Sequence, residues 1–149
     1  GARFEQVRTD VLCQERELDE LRNEVAKMRQ KMRDGHPNTS ELFDLKHDMG
    51  GIVDVEFIVQ YLVLGYAAKH PRLTGNIGNL ALLGLAAELG LIPGDMADST
   101  IAAYRLFRSR QHALRLQGER YARLDRRLVD AQIAAVHALW CWVFEERRA

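Results

Sequence analysis

Asp44, Lys46, Asp48, Asp54 and Glu56 stand around the Gly50-Gly51 pair in one stretch, Phe43 to Tyr66, that reads FDLKHDMGGIVDVEFIVQYLVLGY. Neither glycine has a Cβ, so the backbone of this bend can approach a ligand closely. N–H groups at such a bend, followed by a helix N-terminus, can accept an anion. The acidic side chains argue the other way, because Asp54 and Glu56 near the helix start repel a naked phosphate unless a cation or Lys46 lies between them. The plainer reading is that Asp54 caps the helix, Glu56 complements its dipole, and Lys46 pairs with Asp48 or Asp44.

The elements that must position these residues are helical nearly everywhere. Three Pro among 149 residues and abundant Ala, Leu, Arg and Glu favour helix. We therefore expect an all-α fold, a bundle of about five helices. Phe4, Val7, Val11, Leu18, Leu21, Val25, Met28 and Met32 follow alternating three- and four-residue steps, a single apolar seam on a long helix over residues 1–34. Such a helix reaches roughly 45 Å and suits one arm of a bundle better than a coiled coil, since further helices follow and need partners. Asp34 to Ser40, with Gly35 at the C′ position and Pro37 beyond, ends it.

Residues 35–52 read as a linker in which Phe43 to Lys46 form a short extended piece running into the Gly-Gly bend. Residues 53–149 then form the rest of the bundle. Val53 to Lys69 is apolar on most sides and so is the central helix. Asn76 to Leu89 follows, closed by Gly90, and Pro93 opens a third helix that turns Ile101, Tyr104, Phe107, Gln111 and Leu114 inward and Arg105, Arg108, Arg110 and Arg115 outward. The last helix is expected to carry Tyr121, Leu124, Leu128, Ile133, Val136, Trp140 and Val143 at core spacing.

Charge excludes several partners. Lys plus Arg equals Asp plus Glu at 21 each, so no global field draws the chain onto nucleic acid or anionic lipid. The balance is uneven along the chain: residues 1–34 are neutral, 35–100 acidic, and 101–149 carry ten Arg against five acidic groups. The Arg-rich helices read as a solvated face, or more sharply as a surface for an acidic partner, with Arg105, Arg108 and Arg115 as the docking candidates. No 18-residue apolar run spans a membrane, and Cys13 and Cys141 show no metal spacing, which fits reduced thiols in a cytosolic protein without marked reactivity. The five His residues lack ligand spacing. Trp140 and Trp142, about 200° apart on a helix, are expected in the core and in a more exposed or contact position respectively.

The Phe43 to Leu64 run resembles the glutamine synthetase adenylyltransferase family, whose stretch FD-[IL]-K-x-x-x-GG-I-x-D-[IV]-EF-x-x-QYLVL follows its C-terminal nucleotidyltransferase core. Here it stands as Phe43, Asp44, Leu45, Lys46, Gly50, Gly51, Ile52, Asp54, Val55, Glu56, Phe57, Gln60, Tyr61, Leu62, Val63 and Leu64. Val25 to Arg33 upstream and His70-Pro71, Asn76-Ile77, Gly90-Leu91, Tyr104 and Arg108 to Gln117 downstream are similar to the family in the same order. Gly78 departs from it, where Arg is common. Related uridylyltransferases share a Lys-x-x-x-Gly-Gly-x-x-Asp element but lack the Glu-Phe and Gln-Tyr-Leu continuation.

The resemblance implies a large cytosolic enzyme of nitrogen metabolism that moves AMP from ATP to a tyrosine of glutamine synthetase and removes it by phosphorolysis, governed by PII proteins and glutamine. In that family a Gly-Ser loop and Asp-x-Asp carboxylates hold two Mg²⁺. This sequence has no Gly-Ser pair, and Asp54-Val55-Glu56 and Asp95-Met96-Ala97-Asp98 lie in the wrong context. The expectation is thus a C-terminal helical domain, inactive alone, with no catalytic residue or metal of its own and no ATP or Mg²⁺ held by itself. Lys46, Gly50, Gly51, Asp54 and Glu56 are its nucleotide-proximal candidates. The alternative is a helical interaction module that docks PII or glutamine synthetase without touching nucleotide.

Overall fold

The computed structural model describes residues 2–146, with side chains from residue 14 onward. It is all-α apart from one tiny two-strand ladder. Helix α1 runs Ala2–Asp34, α2 Ile52–Tyr66, α3 Asn79–Glu88, α4 Gly94–Leu116 and α5 Asp130–Trp140. Short 3-10 turns cover Pro71–Thr74 and Arg126–Leu128, and a π-turn covers Cys141–Glu145.

Helix α2 is central because it is apolar almost all round: Ile52, Val53, Val55, Ile58, Val59, Tyr61 and Leu62 are all buried. It packs against α1, α3, α4 and α5. Leu83 and Ala86 of α3, Ala97, Ala103 and Phe107 of α4, and Ile133, Val136 and Leu139 of α5 complete the core. Each fully buried Leu, Ile, Val or Phe contributes about 1.5–3 kcal/mol, so α2, with more buried apolar residues than any other element, collects the largest single share of the hydrophobic stabilisation.

Helix α1 lies on α2 through Leu18 and Leu21, which close over Gly65, and through Val25. The seam departs from expectation one turn later. Met28 is 55% exposed and Arg29 is fully buried in its place. The step from Val25 is four residues rather than three, and a buried acidic partner on α2, described below, sets it. Phe4, Val7, Val11 and Cys13 lie outside the described side chains. Gly35 closes α1 as expected, its N–H donating to the Lys31 and Met32 carbonyls.

The extended piece at Phe43 is present as β1, Phe43–Asp44, and its partner is unexpected. Strand β2, Arg123–Leu124, pairs antiparallel with it, Phe43 opposite Leu124 and Asp44 opposite Arg123. The expected helix through Tyr121, Leu124 and Leu128 is therefore corrected: Tyr121 and Leu128 are exposed, and α5 begins only at Asp130. A contact 79 residues away in sequence, Arg123 Nε to Asp44 Oδ2 at 3.1 Å, overrides the local helical preference. The π-turn places Trp142 at a contact, one of its two expected positions, and leaves Trp140, expected in the core, only half-buried. Glu146 N–H reaches back five residues to the Cys141 carbonyl, the turn widens, and both Trp140 and Trp142 become half-buried against the core, Trp140 with its ring centroid 4.2 Å from that of Phe144.

On α4 the buried line is Ala97, Thr100, Ala103, Phe107 and Gln111, with Ile101, Tyr104 and Leu114 flanking it. The small Ala97 and Ala103 admit close approach of neighbouring elements, which apolar counting under-weights.

Gly51 is the tightest position among the described glycines: a Cβ there would sit 2.5 Å from the Leu45 carbonyl oxygen and 3.0 Å from that of Asp48. Gly84, inside α3, has nothing within 4 Å. Urea denaturation is expected to show Gly51→Ala losing about 2 kcal/mol or more, by forcing backbone apart, and Gly84→Ala gaining up to about 1 kcal/mol from helix propensity.

Candidate functional site

The Gly-Gly bend is held from beneath by one ion pair. Arg29 of α1 donates through Nε to Asp54 Oδ1, with each side chain 1% exposed. Arg29 Nη2 also donates to the His47 carbonyl at 2.7 Å, and Asp54 Oδ2 accepts the Gly50 N–H at 2.7 Å. One guanidinium and one carboxylate thus join the long helix, the turn before the bend, and the bend itself.

Asp54 is not the helix cap. Gly51 occupies that position without a side-chain bond, and Asp54, in the first turn of α2, reaches back past it to the preceding N–H. The anion that a bend of this kind would accept is therefore supplied from within. Other N–H groups of the bend are engaged as well: Gly51 with the Asp48 carbonyl, Ile52 with that of Leu45, and Val53 with that of Lys46. The glycines face inward. Gly50 has φ +88°, which suits a residue without Cβ, and a side chain there would meet Ile133 Cγ2 at 2.8 Å. Close approach at both glycines is to this chain's own atoms.

Asp44 and Asp48 order the turn above. Asp44 Oδ1 accepts the N–H groups of Lys46 and His47 at 3.0 and 2.9 Å, while Oδ2 faces Arg123. Asp48 Oδ2 accepts from Asn38 Nδ2 and from the Asp44 N–H, both at 2.9 Å. Neither carboxylate pairs with the Lys46 side chain, contrary to the plainer reading. Lys46 is held by its main chain on both sides and its side chain is exposed, with no ion pair among the described residues. Glu56 is half-buried and likewise has no ion pair among them.

The sequence carried no hint of the His36–His47 stack, with ring centroids 4.0 Å apart and planes within 6°. Burial lowers the His47 pKa, and the neighbouring His36, Lys46 and Arg29 push the same way against Asp44.

Tertiary structure also brings together residues that the sequence left apart. Lys46, Gln111, Arg115, Arg120 and Tyr121 line one cavity of about 170 Å³, where the turn meets the C-terminal end of α4. Arg105 and Arg108 do not line it and lie exposed on α4. A larger groove of about 900 Å³ runs between α1 and the π-turn, lined by Leu18, Arg22, Tyr66, Trp142 and Phe144 among others. No group of three His, Cys, Asp or Glu suited to a metal ion exists among the described residues. The two buried carboxylates nearest the bend, Asp44 and Asp54, face Arg123 and Arg29. This donor set does not fit a resident Mg²⁺.

Residues 15–139 match the model of the GlnD PII-uridylyltransferase family. The chain belongs to this family. Among relatives, it is 48% identical over 158 residues to the bifunctional glutamine synthetase adenylyltransferase/adenylyl-removing enzyme of Nitrosomonas eutropha, a match that covers 97% of this chain and 17% of the relative. The protein of that name from Nitrosomonas europaea is 50% identical, with the same coverage, and that from Bordetella bronchiseptica 52% identical over 98% of this chain and 16% of the relative. The chain thus spans about a sixth of the length of these relatives. Within the GlnD PII-uridylyltransferase family, these matches agree with the adenylyltransferase resemblance read from Phe43 to Leu64. The departure at Gly78 has room to be otherwise: nothing lies within 4 Å of a Cβ there, at the N-terminal end of α3, and φ is −72°.

Breaking the buried pair leaves one uncompensated charge, so Arg29→Met is expected to cost about 3–5 kcal/mol in chemical denaturation. Adding Asp54→Leu recovers most of that but not all, because the Gly50 N–H then loses its acceptor. His47 binds protons less readily folded than unfolded, so stability falls as pH drops through about 6.5, the ordinary imidazole value. Histidine NMR is expected to place the His47 midpoint below that value, and His47→Gln to remove this part of the acid destabilisation.

Proposed function

We propose that this chain is the helical part of a cytoplasmic nucleotidyltransferase that transfers an adenylyl group from ATP to a tyrosine of glutamine synthetase and removes it again. Matches at 48–52% identity to bifunctional glutamine synthetase adenylyltransferase/adenylyl-removing enzymes, over nearly the whole of this chain, carry the reading. Magnesium and the catalytic carboxylates belong to a separate core in this account, so the chain by itself is inactive. Its part is to complete the nucleotide or protein-substrate site.

Lys46 is the residue we place nearest the nucleotide. Its N–H is held by Asp44 and its carbonyl by the Val53 N–H, so the main chain is fixed at both ends while the ammonium carries no ion pair among the described residues. That arrangement suits a cation offered to a phosphate. Gly50, Gly51 and Asp54 contribute by shaping the bend rather than by contact, and Glu56, at the edge of α2, stays a candidate for sugar or metal-bound water. A second reading, docking of a PII protein or of glutamine synthetase without nucleotide contact, draws support from Arg105 and Arg108, exposed on α4 and outside the Lys46 cavity.

The experiment is Lys46→Ala in the full-length enzyme, with adenylylation followed while ATP is titrated. Loss of one charge-assisted contact is expected to raise the KM for ATP about tenfold or more. Unchanged kinetics in a folded variant would sink the nucleotide role.

A further inference from the structure

The cavity where Lys46 meets the end of α4 has features that the role of Lys46 alone does not explain. Lys46 approaches from the turn, and Arg115 and Arg120 from the last turn of α4 and the segment after it. None of the three has an ion pair among the described residues. Asp44 also lines the cavity, but its carboxylate faces Arg123 and accepts two N–H groups. Glu119 is the one lining carboxylate left to oppose three cations.

A helix C-terminus ordinarily repels an anion through its unpaired carbonyls. Here three of the last four, those of Ala113, Leu114 and Arg115, are engaged. Gln117 N–H donates to Ala113 and Leu114, Gly118 N–H to Arg115, and Glu119 N–H to Leu114. Gln111 adds a neutral donor: it is 97% buried, and because its Oε1 accepts from Arg108 Nη1 at 3.2 Å, its amide N–H₂ is the group left to donate.

Size and the state of Tyr121 narrow the ligand. About 170 Å³ is below the roughly 300–1,000 Å³ of pockets that enclose a whole small molecule, so the cavity takes an end group. The Tyr121 ring already carries Arg123 at 4.0 Å and Arg120 at 5.2 Å from its centroid, which leaves it a support for guanidinium groups rather than a platform for a base.

We propose that Lys46, Arg115, Arg120 and Gln111 form a seat for a phosphoryl group, either free phosphate or the terminal phosphate of a nucleotide, within this chain itself. The seat rests on the role assigned to Lys46 above and extends it to the far side of the cavity. Arg115, expected from sequence to dock a protein, belongs to this seat.

The test is calorimetry on the 149-residue chain at low ionic strength, with inorganic phosphate, ATP and adenosine as probes. Phosphate is expected to bind and adenosine not to. ATP binding as well identifies the nucleotide terminus as the ligand, and its failure to bind identifies free phosphate; either supports the seat. Arg115→Gln and Arg120→Gln should each weaken binding about tenfold, whereas Arg110→Gln, an equal loss of charge elsewhere on α4, should change it less than twofold. Binding of adenosine comparable to that of ATP, no phosphate binding at millimolar concentration, or equal weakening by Arg110→Gln would each overturn the proposal. The two readings fail separately. Loss of ATP affinity in full-length Lys46→Ala, with no phosphate binding by this chain, removes the seat and leaves the wider function standing.

Discussion

The buried pair of Arg29 and Asp54 is the interaction on which the rest of this structure turns. Taking a guanidinium and a carboxylate out of water carries a desolvation cost of several kcal/mol per ion, so such a pair persists only where each group finds further partners. Both do: the arginine holds the His47 carbonyl and the aspartate holds the Gly50 N–H. What the pair supplies is registry. It sets which residue of α1 faces α2, aligns the start of α2 with the bend, and presents Lys46 from a turn whose backbone cannot drift. An apolar pair in the same place could match its stability without reproducing that three-way alignment.

A division of labour among the acidic residues follows. Asp44, Asp48 and Asp54 each organise backbone, by accepting N–H groups or by facing an arginine or asparagine. The cations Lys46, Arg115 and Arg120, which share one cavity, have no ion pair among the described residues. The motif therefore turns its negative charge inward and its positive charge outward, the reverse of what its sequence suggests when charges are counted in order. That inversion removes Asp54 from the repulsion expected of phosphate near the helix start, because Arg29 neutralises it before any ligand arrives, and leaves Glu56 as the unpaired carboxylate there.

Much of this was open to reading from the residues. Helix periodicity gave all five helices, with ends within a few residues except for the last, the central place of α2, the short strand at Phe43, and the outward arginines of α4. Local preference gives way where a distant partner decides the outcome. Arg123 and Leu124 have no local reason to be extended and become so because Asp44 and Phe43 lie opposite. Tyr121 sits at helical core spacing, yet it is exposed among arginines. Trp140, at core spacing, is only half-buried where the π-turn widens the helix.

By itself, then, the sequence determined most of the helical segments, most of their apolar faces and, through the Phe43 to Leu64 motif, the likeness to the glutamine synthetase adenylyltransferases. These follow from local spacing and residue type, which act over one or two turns of chain. Tertiary structure alone decided that Arg29 rather than Met28 faces inward, that Asp54 and not an external anion fills the glycine bend, and that Lys46 shares a cavity with Arg115 and Arg120. The first two depend on Arg29 meeting Asp54 across 25 residues and the third on Asp44 meeting Arg123 across 79, and the low polarity of the interior makes the choice of partner decisive. No periodicity along the chain encodes such a choice, because the energy that enforces it exists only once water has been excluded.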